Sequence, residues 1–153
     1  MNDKILLIET ATDVCSAAIT DGKRIISARY TSEPKSQASG LAPMIDEVLK
    51  EAGLSAKDLS AVAVSSGPGS YTGLRVGVST AKGICFGAGL PLIAVETLEA
   101  IACGALSTGN ISADTLIIPM IDARRMEVYT ALFDSSGRRI SDTKAVILEP
   151  DTF

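Results

Sequence analysis

The chain has 153 residues, 46% of them hydrophobic, and a formal net charge of −4. That is enough apolar material for one domain or two small lobes, and the acidity argues against unaided nucleic-acid binding. Histidine is absent, which excludes a His-dependent triad, a two-histidine metal site and a His general base. Tryptophan is absent too and aromatics make up only 4%, which gives a base-stacking platform little support.

Lys4–Glu9 reads as a buried strand, too short an apolar run for a signal peptide core. The polar turn Thr10-Ala11-Thr12-Asp13 leads into a second strand, Val14–Thr20. Asp21-Gly22 is a hairpin signal before a third, Arg24–Tyr30. After polar Thr31–Gly40, an amphipathic helix carries Leu41, Met44, Ile45, Val48 and Leu49 until Gly53 stops it. Leu59–Val64 is a fourth strand.

The segment from Ser65 to Gly77, Ser-Ser-Gly-Pro-Gly-Ser-Tyr-Thr-Gly-Leu-Arg-Val-Gly, is a glycine-rich turn that opens a helix over Thr72–Ala88. Ser70 or Thr72 is placed to cap it, and such a turn can receive a phosphate. Gly69, Gly73, Gly77 and Ala81 recur every four residues, a ridge without side chains that lets another backbone approach. Gly89-Leu90-Pro91 ends the helix, Leu92–Val95 is a short strand, and Thr97 is expected to cap a helix to about Leu106. No segment reaches the ~20 apolar residues of a membrane helix. Cys15, Cys85 and Cys103 lack metal-ligand spacing, so all three read as buried thiols of a reducing cytoplasm.

Ser107–Asp114 reads as a linker, after which the opening pattern returns. Thr115–Ile121 ends in Asp122 as the first strand ends in Glu9. The turn Asp122-Ala123-Arg124-Arg125 leads to Met126–Phe133, and Ser135-Ser136-Gly137 to a strand broadly over Arg138–Leu148. Pro150-Asp151-Thr152 looks like a helix start. The expectation is an α/β protein with duplicated βββαβα lobes: residues 1–108 form the first, and residues 109–153 the three-stranded start of an incomplete second. That is the plan of the actin-like ATPase (ribonuclease H-like) fold.

Ile5-Leu6-Leu7-Ile8-Glu9-Thr10-Ala11-Thr12, the Ser65–Gly77 segment and Ile121-Asp122-Ala123-Arg124-Arg125 together resemble the TsaB (YeaZ) family, in its order and spacing across essentially the whole chain. The resemblance implies an actin-type fold that has lost catalysis and needs no cofactor or metal. It implies a dimerization subunit of the bacterial complex that installs threonylcarbamoyl on adenosine 37 of certain tRNAs. The implied partners are a TsaD-like catalytic subunit and a TsaE-like ATPase, with a homodimer when alone and tRNA met only through the complex. Where many members carry a histidine before the first helix, this chain has Gln37.

Two groups of candidate residues follow. Glu9, Thr10, Thr12, Gly67 and Gly69 stand where an actin-like ATPase grips phosphate, but the loop lacks the Lys-Ser/Thr ending of a P-loop. They read as a vestigial phosphate loop. Leu41, Met44, Ile45, Val48, Tyr71, Gly73, Leu74, Gly77, Val78 and Ala81 offer more apolar strip than one sheet can cover, and read as a partner or dimer interface. A charged turn at Asp122, Arg124 and Arg125 and the pairs Lys23-Arg24 and Arg138-Arg139 are too sparse for an RNA footprint. The alternatives are an actin-like ATPase or small-molecule kinase and, more remotely, a metal-independent peptidase. The latter needs a Ser–Lys or carboxylate arrangement, for which Ser70 and Lys82 stand too far apart along the helix.

Overall fold

The computed structural model describes residues 3–33, 37–109 and 111–152, with Gln37 described in its backbone only. Its elements are β1 (Ile5–Glu9), β2 (Cys15–Thr20), β3 (Ile25–Thr31), α1 (Gln37–Ala52), β4 (Ala61–Ser65), α2 (Tyr71–Ala88), β5 (Leu92–Val95), α3 (Thr97–Ser107), β6 (Met120–Arg124), β7 (Glu127–Thr130) and β8 (Lys144–Ile147). They divide into two units. The first takes the described residues of Met1–Ser66 and Ser70–Val95, the second those of Gly67–Gly69 and Glu96–Phe153. The division expected after residue 108 therefore falls at 95, because α3 packs with the strands that follow it. Among the described residues no helix is long and apolar enough to cross a membrane.

The first unit is a five-stranded sheet in the order β3-β2-β1-β4-β5, with β1 antiparallel to β2 and parallel to β4. An antiparallel meander followed by a parallel strand is the plan expected of an actin-like lobe. Alternation along β1 turns Leu6 and Ile8 to one face, where register sets them beside Ile19 and Ala17 of β2 and Val62 and Val64 of β4. Helices α1 and α2 pack against that side and complete the core. Each fully buried Leu, Ile or Val contributes about 1.5–3 kcal/mol. The Ser27 hydroxyl donates to the Val48 carbonyl at 2.8 Å, and the Arg29 guanidinium pairs with Glu51 at 2.8 Å and Glu47 at 3.4 Å, which ties α1 to β3.

This packing corrects the interface assignment for α1. Leu41, Met44, Ile45 and Val48 are all core residues, Leu41 and Val48 with 1% and 0% of their surface exposed. A helix with one apolar stripe needs that stripe for its own sheet, and α1 turns Asp46, Glu47, Lys50 and Glu51 outward.

The second unit is an antiparallel meander, β6-β7-β8, which repeats the opening pattern of the first. Its core joins Leu98 and Ala102 of α3 to Ile117, Ile121, Ala131 and Phe133. Its strands are shorter than the sequence suggests. Pro119 has no N–H to donate, so β6 begins at Met120 and Ile117 makes an isolated bridge to Phe133. Before β8, the Asp134 carboxylate accepts from the Ser136 hydroxyl and N–H and the Arg138 N–H and pairs with the Arg138 guanidinium at 3.0 Å. These bonds hold the turn expected at Ser135-Ser136-Gly137 and lower the carboxyl pKa to about 2. Of the strand expected over Arg138–Leu148, Arg139 makes only an isolated bridge to Phe133 and β8 is confined to Lys144–Ile147. Pro150–Thr152 is a turn, with the Glu149 N–H on the Thr152 hydroxyl at 2.6 Å. Glu96, not Thr97, is the N-cap of α3, and the Thr97 hydroxyl is buried without a partner.

Cys15 and Cys85 are buried as expected; Cys103 is exposed, one position past the inward-facing Ala102. Burial pushes both buried thiols above their ordinary 9.0, and for Cys15 the nearby Glu9 charge adds to it. Unfolded thiols ionise near 9.0 and the native ones only above it. Their contribution to stability is therefore complete below pH 9.0 and is lost as pH rises through the native values. Urea midpoints measured from pH 7.5 to 10.5 are expected to fall more steeply for the wild type than for Cys15→Ala/Cys85→Ala; parallel curves would contradict this.

Candidate functional site at the head of the glycine-rich helix

The end of β1 and the start of α2 meet in the first unit. One Glu9 oxygen, Oε1, accepts from the Ala11 N–H at 2.5 Å, and the other, Oε2, accepts a short bond from the buried Ser65 hydroxyl at the end of β4. The carboxylate thus fastens the β1–β2 turn to β4. Ala11 continues the chain of contacts: its carbonyl accepts from the Ser70 N–H at 2.7 Å, and Ser70 Oγ caps α2 by accepting from the Gly73 N–H at 3.2 Å. Thr12 Oγ1 accepts from the Val14 N–H at 3.3 Å. Gly67 and Gly69 fall in the second unit, where the Gly67 carbonyl accepts from the Thr97 N–H at 2.9 Å. Gly67 has φ +110°, a conformation that favours glycine. Among the described residues, no three His, Cys, Asp or Glu side chains gather where they could hold a metal ion.

Thr10, fully buried, sets the spacing between strand and helix. A Cβ at Gly73 would lie 2.0 Å from the Thr10 carbonyl oxygen, and one at Gly77 would lie 2.2 Å from Thr10 Oγ1. Gly73 and Gly77 therefore receive Thr10, the residue just past β1 of the same chain, Ala81 is buried on the same side, and the assignment of this ridge to a partner interface is corrected. The sequence does display the ridge; it does not display which backbone approaches it.

The opposite side of α2 is open. Tyr71 and Phe86 are 76% and 93% exposed, with Arg75, Ser79 and Lys82 between them. The Arg75 guanidinium lies 5.5 Å from the centre of the Tyr71 ring. Leu74 and Val78 flank this strip half-buried, and Val78 packs partly on the core. Of the residues assigned to an interface, only Tyr71, Leu74 and Val78 reach this side. Arg75, Lys82 and Phe86 were missed, although stepping 100° per residue around the helix from the glycine ridge locates them.

Comparison with known proteins bears on this arrangement. Residues 31–148 match the family described as TsaD: tRNA N6-adenosine threonylcarbamoyltransferase. The tRNA threonylcarbamoyladenosine biosynthesis protein TsaB of Escherichia coli is 36% identical over 151 residues, 97% of this chain and 63% of that protein. The chain belongs to the TsaB (YeaZ) family. TsaB of Bacillus subtilis is 34% identical over 84% of this chain and 54% of its own length. The structure of YeaZ from Pseudomonas aeruginosa superposes with a TM-score of 0.82 at 29% identity, covering 99% of this chain and 70% of that one. The chain thus spans between half and two thirds of the length of these curated relatives. The departure at Gln37 lies at the start of α1, with its side chain outside the described residues.

Glycine substitutions in α2 should divide by position. In open helix, Gly83→Ala and Gly87→Ala, where a Cβ meets nothing within 4 Å, are expected to stabilise by about 0.8–1 kcal/mol. Gly73→Ala and Gly77→Ala are expected to destabilise by about 1–3 kcal/mol. Thr10→Ala should partly rescue Gly77→Ala, which meets its side chain, and not Gly73→Ala, which meets backbone. Chemical denaturation of the five single variants and the two doubles measures this; rescue of Gly73→Ala would contradict it.

Proposed function

We propose that this chain is a non-catalytic scaffold subunit in threonylcarbamoyl transfer to adenosine of tRNA, acting in the cytoplasm. The observation that carries the reading is the 36% identity to a protein named for threonylcarbamoyladenosine biosynthesis, sustained over 97% of the chain. In this reading the open side of α2, with Tyr71, Leu74 and Val78 at its centre and margin, docks a TsaD-like catalytic subunit. A TsaE-like ATPase joins the assembly, and a second copy of the chain takes the same surface when the subunit is absent. The meander of the second unit opens a second lobe. Transfer RNA is met through the complex, in keeping with the net charge of −4.

The competing reading is an ATPase or small-molecule kinase, the usual occupation of the fold. Against it, each Glu9 oxygen already accepts a bond within the protein, so an ion would compete for the remaining lone pairs of a single carboxylate, and the glycine-rich loop has no P-loop lysine to hold a phosphate. A peptidase has no histidine to draw on.

Leu74→Glu is expected to weaken association with the purified TsaD-like subunit of the same organism at least about tenfold, read by sedimentation velocity with circular dichroism as the folding control. The wild type alone should turn over Mg·ATP no faster than a buffer blank. Turnover abolished by Glu9→Ala, or a folded Leu74→Glu protein that still binds normally, overturns the reading.

A further inference from the structure

The open strip of α2 carries two cations, Arg75 and Lys82, and no acid. The helix contains no Asp or Glu in its 18 residues. Neither Arg75 nor Lys82 takes part in an ion pair among the described residues, whereas the cations near α1 are all engaged: Arg29 with Glu47 and Glu51, Lys50 with Asp46. The acids of the neighbouring helix are thereby occupied too. On a chain with net charge −4 this leaves a local cationic strip bounded by two exposed aromatic rings.

The order along that strip is symmetric. At about 100° per residue, Tyr71, Arg75, Lys82 and Phe86 fall within an arc of about 60°, over a length of about 22 Å. A two-fold axis between Val78 and Ser79 that sets α2 antiparallel to a second copy of itself brings Tyr71 opposite Phe86 and Arg75 opposite Lys82, at both ends. The aromatic pairs favour that register. The cation pairs oppose it, and a parallel pairing sets Arg75 on Arg75 and Lys82 on Lys82. Like charges facing across an interface disfavour a partner by several kcal/mol and act as a means of discrimination.

We propose that the open strip of α2 is built for a segment of a different polypeptide, one that presents carboxylates opposite Arg75 and Lys82 between apolar residues that meet Tyr71 and Phe86, and that these two cations hold self-pairing below hetero-pairing. This rests on the docking of a catalytic subunit at α2 and adds the chemistry by which that subunit is told apart from a second copy.

The experiment titrates the chain with its purified TsaD-like subunit, and separately measures its self-association, at 50 and 500 mM NaCl by sedimentation. The proteins compared are wild type, Arg75→Gln/Lys82→Gln and, as a control in the β2–β3 turn, Lys23→Gln, each checked by circular dichroism. Hetero-association of the wild type should weaken about tenfold or more with salt, and the double variant should bind about tenfold more weakly at low salt with little salt dependence. Self-association should move oppositely, stronger at high salt and stronger in the double variant. Lys23→Gln should match the wild type. Hetero-affinity of the double variant within about twofold of wild type, or self-association that salt or the substitutions fail to strengthen, overturns the proposal. A wild type that binds the subunit at neither salt concentration overturns the scaffold reading itself.

Discussion

The close approach of α2 to the end of β1 governs the first unit. With no room for a single methyl group between Thr10 and either Gly73 or Gly77, the helix cannot rotate or lift without opening the core. That constraint fixes which side of α2 is buried, and so which side is presented. Gly73, Gly77, Ala81 and Cys85 line the inner side, and the helix must then turn Tyr71, Arg75, Lys82 and Phe86 to solvent. Exposure of two aromatic rings on one strip is a consequence of the glycines on the other side, and it is the feature of the surface that most calls for a partner.

Beside it, the Glu9 carboxylate has taken on a structural task. An acid at the end of the first strand of an actin-like lobe is well placed to meet a metal-bound phosphate. Here its two oxygens are bound to Ser65 and to the Ala11 N–H, and the Ala11 carbonyl in turn holds the Ser70 N–H at the cap of α2. Hydrogen bonds to a charged group contribute about 1.5–3 kcal/mol each. The same three segments that would surround a ligand are thereby sewn to one another. Thr10, adjacent to Glu9, buries its hydroxyl without a hydrogen-bond partner, an unfavourable term of about 1–3 kcal/mol that the tight strand–helix packing must offset.

Much of this was legible in the sequence. Alternation in Leu6–Ile8 and Cys15–Ile19, the Asp21-Gly22 turn and the glycine spacing of α2 each follow from a short-range rule, and the strands and helices of the first unit lie within a few residues of expectation. What was not legible depends on contacts between distant residues. The stripe of Leu41, Met44, Ile45 and Val48 looks the same whether it meets its own sheet or another protein, and only the register of the sheet decides for the former. The Ser65–Glu9 bond joins residues 56 apart and needs β1 and β4 to be neighbours. The cationic strip was hidden because apolar periodicity was followed and the polar side of the helix was not. In the second unit, Pro119 shortened the first strand, and the third is confined to Lys144–Ile147 where the hydrophobic run suggested Arg138–Leu148.

The central claim is that the open side of α2 is the working surface of the chain and that the Glu9 carboxylate at the head of the helix serves the fold and not a ligand. Hydrogen–deuterium exchange of the chain, alone, with its TsaD-like subunit and with Mg·ATP, tests it most directly. The account predicts slowed exchange across Tyr71–Ala88 with the subunit and no change at Glu9–Val14 with the nucleotide. Protection by Mg·ATP at Glu9–Val14, with α2 indifferent to the subunit, would contradict it.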